Sequence, residues 1–147
     1  MARFLPDTSV MVAAICGWHE HNRRALRALE ARLARGDTLV VAAPALVETY
    51  AVLTRLPPPH RLAPGDAAPL VQANFVSGLE MVALDAASYR RLLDDAPRER
   101  IAGGRIYDRV IAACAIAAKA TTLLTFNVRD FAPFALGETA VLAPEED

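Results

Sequence analysis

The chain has 147 residues, 54% of them hydrophobic, and a formal net charge of -1. That is the scale of one domain with its own core, and it excludes both a disordered polar chain and a binder that relies on net positive charge. The longest apolar run, residues 110–118, covers nine residues, far short of the roughly 20 needed to cross a bilayer, so no membrane partner is expected.

The elements follow from periodicity and punctuation. Residues 3–6 read as a short strand and 8–16 as an apolar helix. Residues 21–35 form an amphipathic helix with Ala25, Leu26, Leu29 and Leu33 on one face, ended by Gly36. Residues 38–42 are a buried strand, and Pro44 suits the first position of a helix running to about residue 56. The stretches Pro57-Pro58-Pro59-His60 and Pro64-Gly65-Asp66 are stiff connections, with a helix expected over 67–76. A strand at 81–84 leads to Asp85 as N-cap of a helix over 86–95. After Gly103-Gly104 comes an Ala-rich helix over 106–119, then strands at 122–126 and 139–142 and an acidic tail. Cys16 and Cys114 lie in apolar surroundings with no Cys/His cluster, which predicts two buried free thiols. Without an apolar leader before Asp7, no secretory signal is expected and the cytoplasm is the expected compartment.

Strands alternating with helices predict a single α/β domain over 1–147, a three-layer sandwich with a parallel sheet of about five strands flanked by helices. Ligands of such sheets bind beyond the carboxyl ends of the strands. Asp7, Glu48, Asp85, Asn127 and Asp130 all fall just past a predicted strand or in the helix that follows one. Asp7 and Asp85 each also fit an N-cap, so position alone does not separate cap from site. Asp108 is more informative, because it shares a helix face with Ile111, Ala112 and Ala115, and a carboxylate turned toward an apolar face is costly unless paired or bound to metal. Carboxylates gathered without a cation repel one another, and a divalent ion relieves this. Oxygen-only ligands favour Mg²⁺ or Mn²⁺, whose chemistry suits hydrolysis of a phosphodiester.

Four segments, in order, resemble PIN domains, particularly VapC-type toxins: Asp7-Thr8-Ser9-Val10 after a strand, Pro44 to Leu53 with its Glu48, Gly103 to Ala112 with its Asp108, and Leu124 to Phe131. The resemblance covers nearly the whole chain and implies a Mg²⁺- or Mn²⁺-dependent endoribonuclease. It implies Asp7 and Asp108 as direct metal ligands, with Glu48 and Asp130 completing the catalytic acids. For the fourth position, relatives use either the site of Asn127 or that of Asp130. Thr8, Ser9, Thr125, Asn127 and Arg105 are expected to give hydrogen-bonding or phosphate support, and Arg109, Arg129 and the Arg23-Arg24-Arg27 helix are further candidates for RNA phosphate. The resemblance also implies an RNA substrate, a cognate antitoxin and a homodimer. Pro6 departs from the pattern by removing an N–H from a strand expected to be central.

Three other readings stand beside it. A receiver-like phosphoacceptor module shares the sheet, but needs an early acid pair and a late lysine, whereas Lys119 precedes the last strong strand. A dehalogenase-type phosphatase wants Asp-x-Asp, and Ser9 stands two after Asp7. A PIN fold kept as a non-catalytic binding scaffold is the third.

Overall fold

A computed structural model describes residues 2–146; Met1 and the last residue of the acidic tail, Asp147, lie outside it. Within it, β1 (Arg3–Pro6), β2 (Thr38–Ala42), β3 (Glu80–Val82), β4 (Thr122–Leu124) and β5 (Ala140–Leu142) form one sheet in the order β3-β2-β1-β4-β5. Every pairing is parallel. The helices are α1 (Thr8–Ile15), α2 (Asn22–Ala34), α3 (Ala43–Arg55), α4 (Pro64–Phe75), α5 (Ala86–Asp95), α6 (Arg105–Ala117) and α7 (Val128–Phe131).

The expected α/β sandwich is therefore present, and the physical reason is visible in the strands. β1 and β2 are almost continuously apolar and almost continuously buried, as parallel strands covered on both faces must be. Phe4, Leu5, Leu39, Val41, Leu123 and Leu124 meet Met11, Leu53, Ile111 and Ala115 from the flanking helices in one core. The edge strands β3 and β5 are three residues each, and exposed in part. No helix among the described residues is long and apolar enough to cross a membrane.

Boundaries differ from expectation where a local rule lost to a neighbour. α4 begins at Pro64 rather than at residue 67, because Pro64 takes the first helical position, where its missing N–H costs nothing. On α2 the buried stripe is Ala25, Ala28 and Leu29, while Leu26 and Leu33 stand 37% and 47% exposed on the flank of the stripe. β4 stops at Leu124 instead of residue 126 because the backbone leaves the ladder for side-chain partners. Phe126 N–H donates to Ser9 Oγ at 3.0 Å, and Asn127 N–H donates to Thr125 Oγ1 at 2.9 Å. Pro6 sits at the last position of the central strand, and Asp7 N–H takes over the ladder by donating to the Leu124 carbonyl at 2.9 Å. Cys16 and Cys114 are free and buried, as expected.

Candidate active site

The sheet order reverses at β1, which has β2 on one side and β4 on the other. Chain segments leaving these strands diverge there and open a crevice at the carboxyl edge. A cavity of about 450 Å³ occupies it, with Asp7, Thr8, Ser9, Glu48, Asp108 and Asn127 in its wall. Asp7 reaches it from the end of β1, Glu48 from the second turn of α3, Asp108 from the first turn of α6 and Asn127 from the turn after β4.

Asp7 is both a helix cap and a cavity residue. It is 3% exposed. Its Oδ1 accepts from Val10 N–H at 3.1 Å, capping α1, and from Ser9 Oγ at 2.6 Å. Its Oδ2 accepts from the Thr125 hydroxyl. A carboxylate offers about four lone-pair sites, so Oδ2 keeps acceptor capacity after these bonds. Burial pushes the Asp7 carboxyl up to about 6, against the pull of the Ser9, Thr125 and Val10 hydrogen bonds, with a smaller push from Asp108. Ser9 and Thr125, expected around substrate, thus turn their hydroxyls to Asp7 and fix its orientation.

Asp108 lies half-buried on the face that carries buried Ile111, Ala112 and Ala115. Among the described residues no arginine forms an ion pair with it. Its carboxyl is also pushed up to about 6, first by burial, then by the charges of Asp130 and Glu48, with Arg105 opposing. Each of these carboxyls therefore feels another across the crevice: Asp7 feels Asp108, and Asp108 feels Glu48 and Asp130. This is the repulsion that a bound cation would remove. Glu48 is half-buried, and Asn127 and Asp130 are exposed. Asn127 lines the cavity with Asp7, while Asp130 stands one helical turn along α7 and reaches Asp108 by charge.

The arginines divide. Arg105 donates to the Asp130 carbonyl at 3.0 Å and lies 5.4 Å from the Phe134 ring centroid. Arg109 pairs with Glu99 at 3.1 Å, and Arg24 donates to the Pro144 and Glu145 carbonyls. Arg23 and Arg129 are exposed. The cavity wall also holds Phe126, from the Leu124 to Phe131 segment, and His19 and His21; isolated histidines carry no spacing signal, so the sequence alone does not mark these two as site residues.

A family model for the PIN domain matches residues 4–135. The chain belongs to the PIN domain family. It is 46% identical over 124 residues to Ribonuclease VapC40 of Mycobacterium tuberculosis, covering 84% of this chain and 86% of that one. Ribonuclease VapC27 of the same organism is 34% identical over 119 residues, with 74% of each chain covered. The fold matches VapBC2 from Rickettsia felis bound to a DNA fragment from their promoter, with a TM-score of 0.68, 22% identity, and 97% and 99% of the two chains covered. Membership in the PIN family displaces the receiver-like and dehalogenase-like readings. The parallel five-stranded sheet flanked by helices is that of a PIN domain.

Proposed function

We propose that this chain is a metal-dependent endoribonuclease that uses Mg²⁺, with Mn²⁺ able to replace it, at the Asp7–Asp108 cavity. In this reading it is the toxin of a type II toxin–antitoxin pair. One observation carries the proposal. Two carboxylates far apart in the chain share a crevice, both are raised to about 6, and neither has an arginine ion pair among the described residues. The similarity to the VapC ribonucleases supports the same reading of the chemistry.

The residues fit such an ion. The donors are oxygens, the kind that Mg²⁺ and Mn²⁺ prefer. Thr8 lines the cavity, and its hydroxyl is buried without a partner among the described residues. A buried polar atom left in that state costs roughly 1–3 kcal/mol unless water or ligand satisfies it. Among the described residues no three His, Cys, Asp or Glu side chains close into a cage. Mg²⁺ does not require such a cage, since it takes one or two carboxylates and fills its shell with water and phosphate oxygens.

Asp7 and Asp108 would hold the ion. When bound, it lowers the pKa of a coordinated water and stabilises charge building on the phosphodiester. Ser9 and Thr125 keep the Asp7 carboxylate in a fixed rotamer. Glu48 receives the proton of the attacking water, Asn127 offers a neutral amide beside the substrate, and Asp130 sets the charge that Asp108 feels. Thr8 bonds a phosphate oxygen or a water, and Arg105 borders the same crevice.

The reading includes an antitoxin partner and a homodimer. An apolar groove of about 1010 Å³ between α3 and α6 opens onto the site through Glu48 and Asp108, which line both spaces. Val47 and Tyr107 stand 72% and 62% exposed along that groove, so an antitoxin segment seated there would reach the acids. The test is cleavage of end-labelled RNA with Mg²⁺, Mn²⁺ or a chelator. The expected result is metal-dependent cleavage that Asp7→Asn or Asp108→Asn abolishes in a folded protein. Full activity in both variants contradicts the proposal, and metal binding without cleavage of diverse RNAs returns the scaffold reading.

A further inference from the structure

The cavity beside the acids has to seat an anionic phosphodiester, yet among the described residues its wall holds no arginine or lysine. Apart from a bound ion, the side chains that orient a phosphate there are neutral donors. Five of the wall residues can donate: Thr8, Ser9, His19, His21 and Asn127. Two are engaged elsewhere. The Ser9 hydroxyl donates to Asp7 Oδ1 at 2.6 Å and accepts from Phe126 N–H at 3.0 Å. His21 has both ring nitrogens occupied, Nδ1 facing Arg24 Nη1 at 3.4 Å and Nε2 facing Glu20 Oε1 at 3.5 Å. Thr8 and Asn127 already face the substrate in the proposed chemistry. His19 remains without a role.

The connection between α1 and α2 holds the His19 ring in place. His19 N–H donates to the Cys16 carbonyl at 2.9 Å, closing the turn after α1, and the His19 carbonyl accepts from Asn22 N–H at 3.0 Å. Asn22 Nδ2 donates to the Ala13 and Ala14 carbonyls at 2.8 and 3.2 Å, tying the start of α2 to the end of α1. Inside this turn the His21 backbone N–H donates to His19 Nδ1 at 3.0 Å. A nitrogen that accepts a hydrogen bond carries no hydrogen, so the hydrogen of the neutral ring sits on Nε2. The same bond opposes protonation, because an imidazolium would turn one N–H toward another. Burial acts in the same direction and holds His19 below the ordinary histidine value, with His21 adding to it and Glu20 opposing. Nε2 has no hydrogen-bond partner among the described residues, and the half-buried ring stands in the cavity wall.

A neutral donor suits this place better than a cation. A fixed positive charge among the carboxylates would pair with one of them and compete with the divalent ion. A neutral N–H binds a phosphate oxygen without that competition, and one held in advance needs no reorganisation as charge develops. We infer that His19 contacts the substrate, its Nε2–H donating to a non-bridging oxygen of the phosphodiester seated at Asp7 and Asp108. The inference rests on the nuclease reading and adds to it a residue from outside the acid set.

Two substitutions separate this role from a structural one. Asn carries its amide where imidazole has Nδ1, so His19→Asn keeps the acceptor for the His21 N–H and loses the donor. Gln carries its amide where imidazole has Nε2, so His19→Gln keeps the donor and loses the acceptor. On end-labelled RNA with Mg²⁺, His19→Asn is expected to lower kcat/KM by about 10²-fold, the lower range for loss of one oriented donor, and His19→Gln to stay within about five-fold of the parent. The reverse order makes His19 a brace of the turn and overturns the inference, as does a parental kcat/KM in both variants. A second measurement needs neither metal nor turnover. Long-range proton–nitrogen NMR of the imidazoles at pH 7, with His19→Asn to assign the signals, should find hydrogen on Nε2 of His19 and none on Nδ1; hydrogen on Nδ1 overturns the inference. If the parent cleaves no RNA, the nuclease reading is what fails, and the three proteins are compared for anisotropy of labelled RNA in Mg²⁺. Weaker binding in His19→Asn alone then keeps His19 as a phosphate donor, and equal binding in all three removes it.

Discussion

Asp7 and Asp85 begin two helices of this molecule in the same way, yet their chemistry diverges. In each, a carboxylate oxygen accepts the backbone N–H three residues on, from Val10 at 3.1 Å and from Ser88 at 2.8 Å. Asp85 lies on the surface, and Ser88 holds its carboxyl below the usual range, first by its side chain and then by its backbone N–H. Asp7 is buried under the crevice and is pushed up to about 6. The same local motif is thus a plain cap at the start of α5 and a strained charge at the start of α1. What separates them is tertiary: burial, and another acid across the gap. Charges elsewhere on the sheet are neutralised, as where Arg3 pairs with Glu80 at 2.6 Å. At the carboxyl edge they are left unpaired, which costs stability and prepares a cation site.

The largest effect should come from breaking the contrast at its source. Asp7→Asn and Asp108→Asn are each expected to lower RNA cleavage by on the order of 10³-fold, the scale of losing a principal charge-stabilising group. Asp85→Asn should leave cleavage within about two-fold in the same gel assay, because its carboxylate caps a helix away from the acids. Next, Glu48→Gln should lower kcat by about 10²-fold, the lower range for a general base, with KM little changed. Single-turnover rates would check it, and a parental kcat would place Glu48 outside the proton path.

The pH response sharpens the comparison further. Both site acids must ionise to hold a cation, so activity should fall as pH drops through about 6. Stability of the metal-free protein runs the other way. A carboxyl whose folded pKa lies above its unfolded value contributes stability that is complete below the unfolded value and lost as pH rises through the folded one. For buried Asp7, raised from 3.8 to about 6, the whole loss is about 3 kcal/mol, at 1.36 kcal/mol per pKa unit, and about two thirds of it falls between pH 4 and pH 6. Thermal melts in chelator across that window should decline, and added Mn²⁺ should restore them at pH 7. A flat profile would mean that Asp7 carries no uncompensated charge. Asp85 has the opposite sign: its depressed pKa gives stability above the unfolded value that is lost as pH falls through the folded one.

The smallest effect concerns the half-buried acid. Asp108→Asn should raise the metal-free melting temperature slightly at pH 7 by removing a half-buried charge and, second, its repulsion from Asp130 and Glu48. Solvent screening keeps the gain to about 1 kcal/mol or less. A lower melting temperature would mean that the Asp108 charge is compensated in the fold.

Much of this architecture could be read from the residues before any coordinates. β1, β2 and α5 fall on their expected bounds, because apolar runs closed by turn residues and an Asp cap leave few options. The position of Asp108 was legible for a related reason: helical spacing put it on the face of Ile111 and Ala112, where an acid is costly unless paired or bound to metal. The Asp7 cap and the Asp85 cap could not be told apart, since burial is a property of the assembled sheet. The end of β4 escaped pattern reading because Thr125 is a good strand former whose hydroxyl is claimed by Asp7, a partner remote in sequence. His19 and His21 in the cavity wall were equally invisible, being single residues in the connection before α2.

Calorimetric titration of Mn²⁺ into the parent, Asp7→Asn, Asp108→Asn and Asp85→Asn, at pH 7 without RNA, tests the central claim most directly. The account predicts one class of site in the parent and in Asp85→Asn, and loss of that site in both of the others. Equal Mn²⁺ affinity in all four proteins would show that Asp7 and Asp108 do not share a cation.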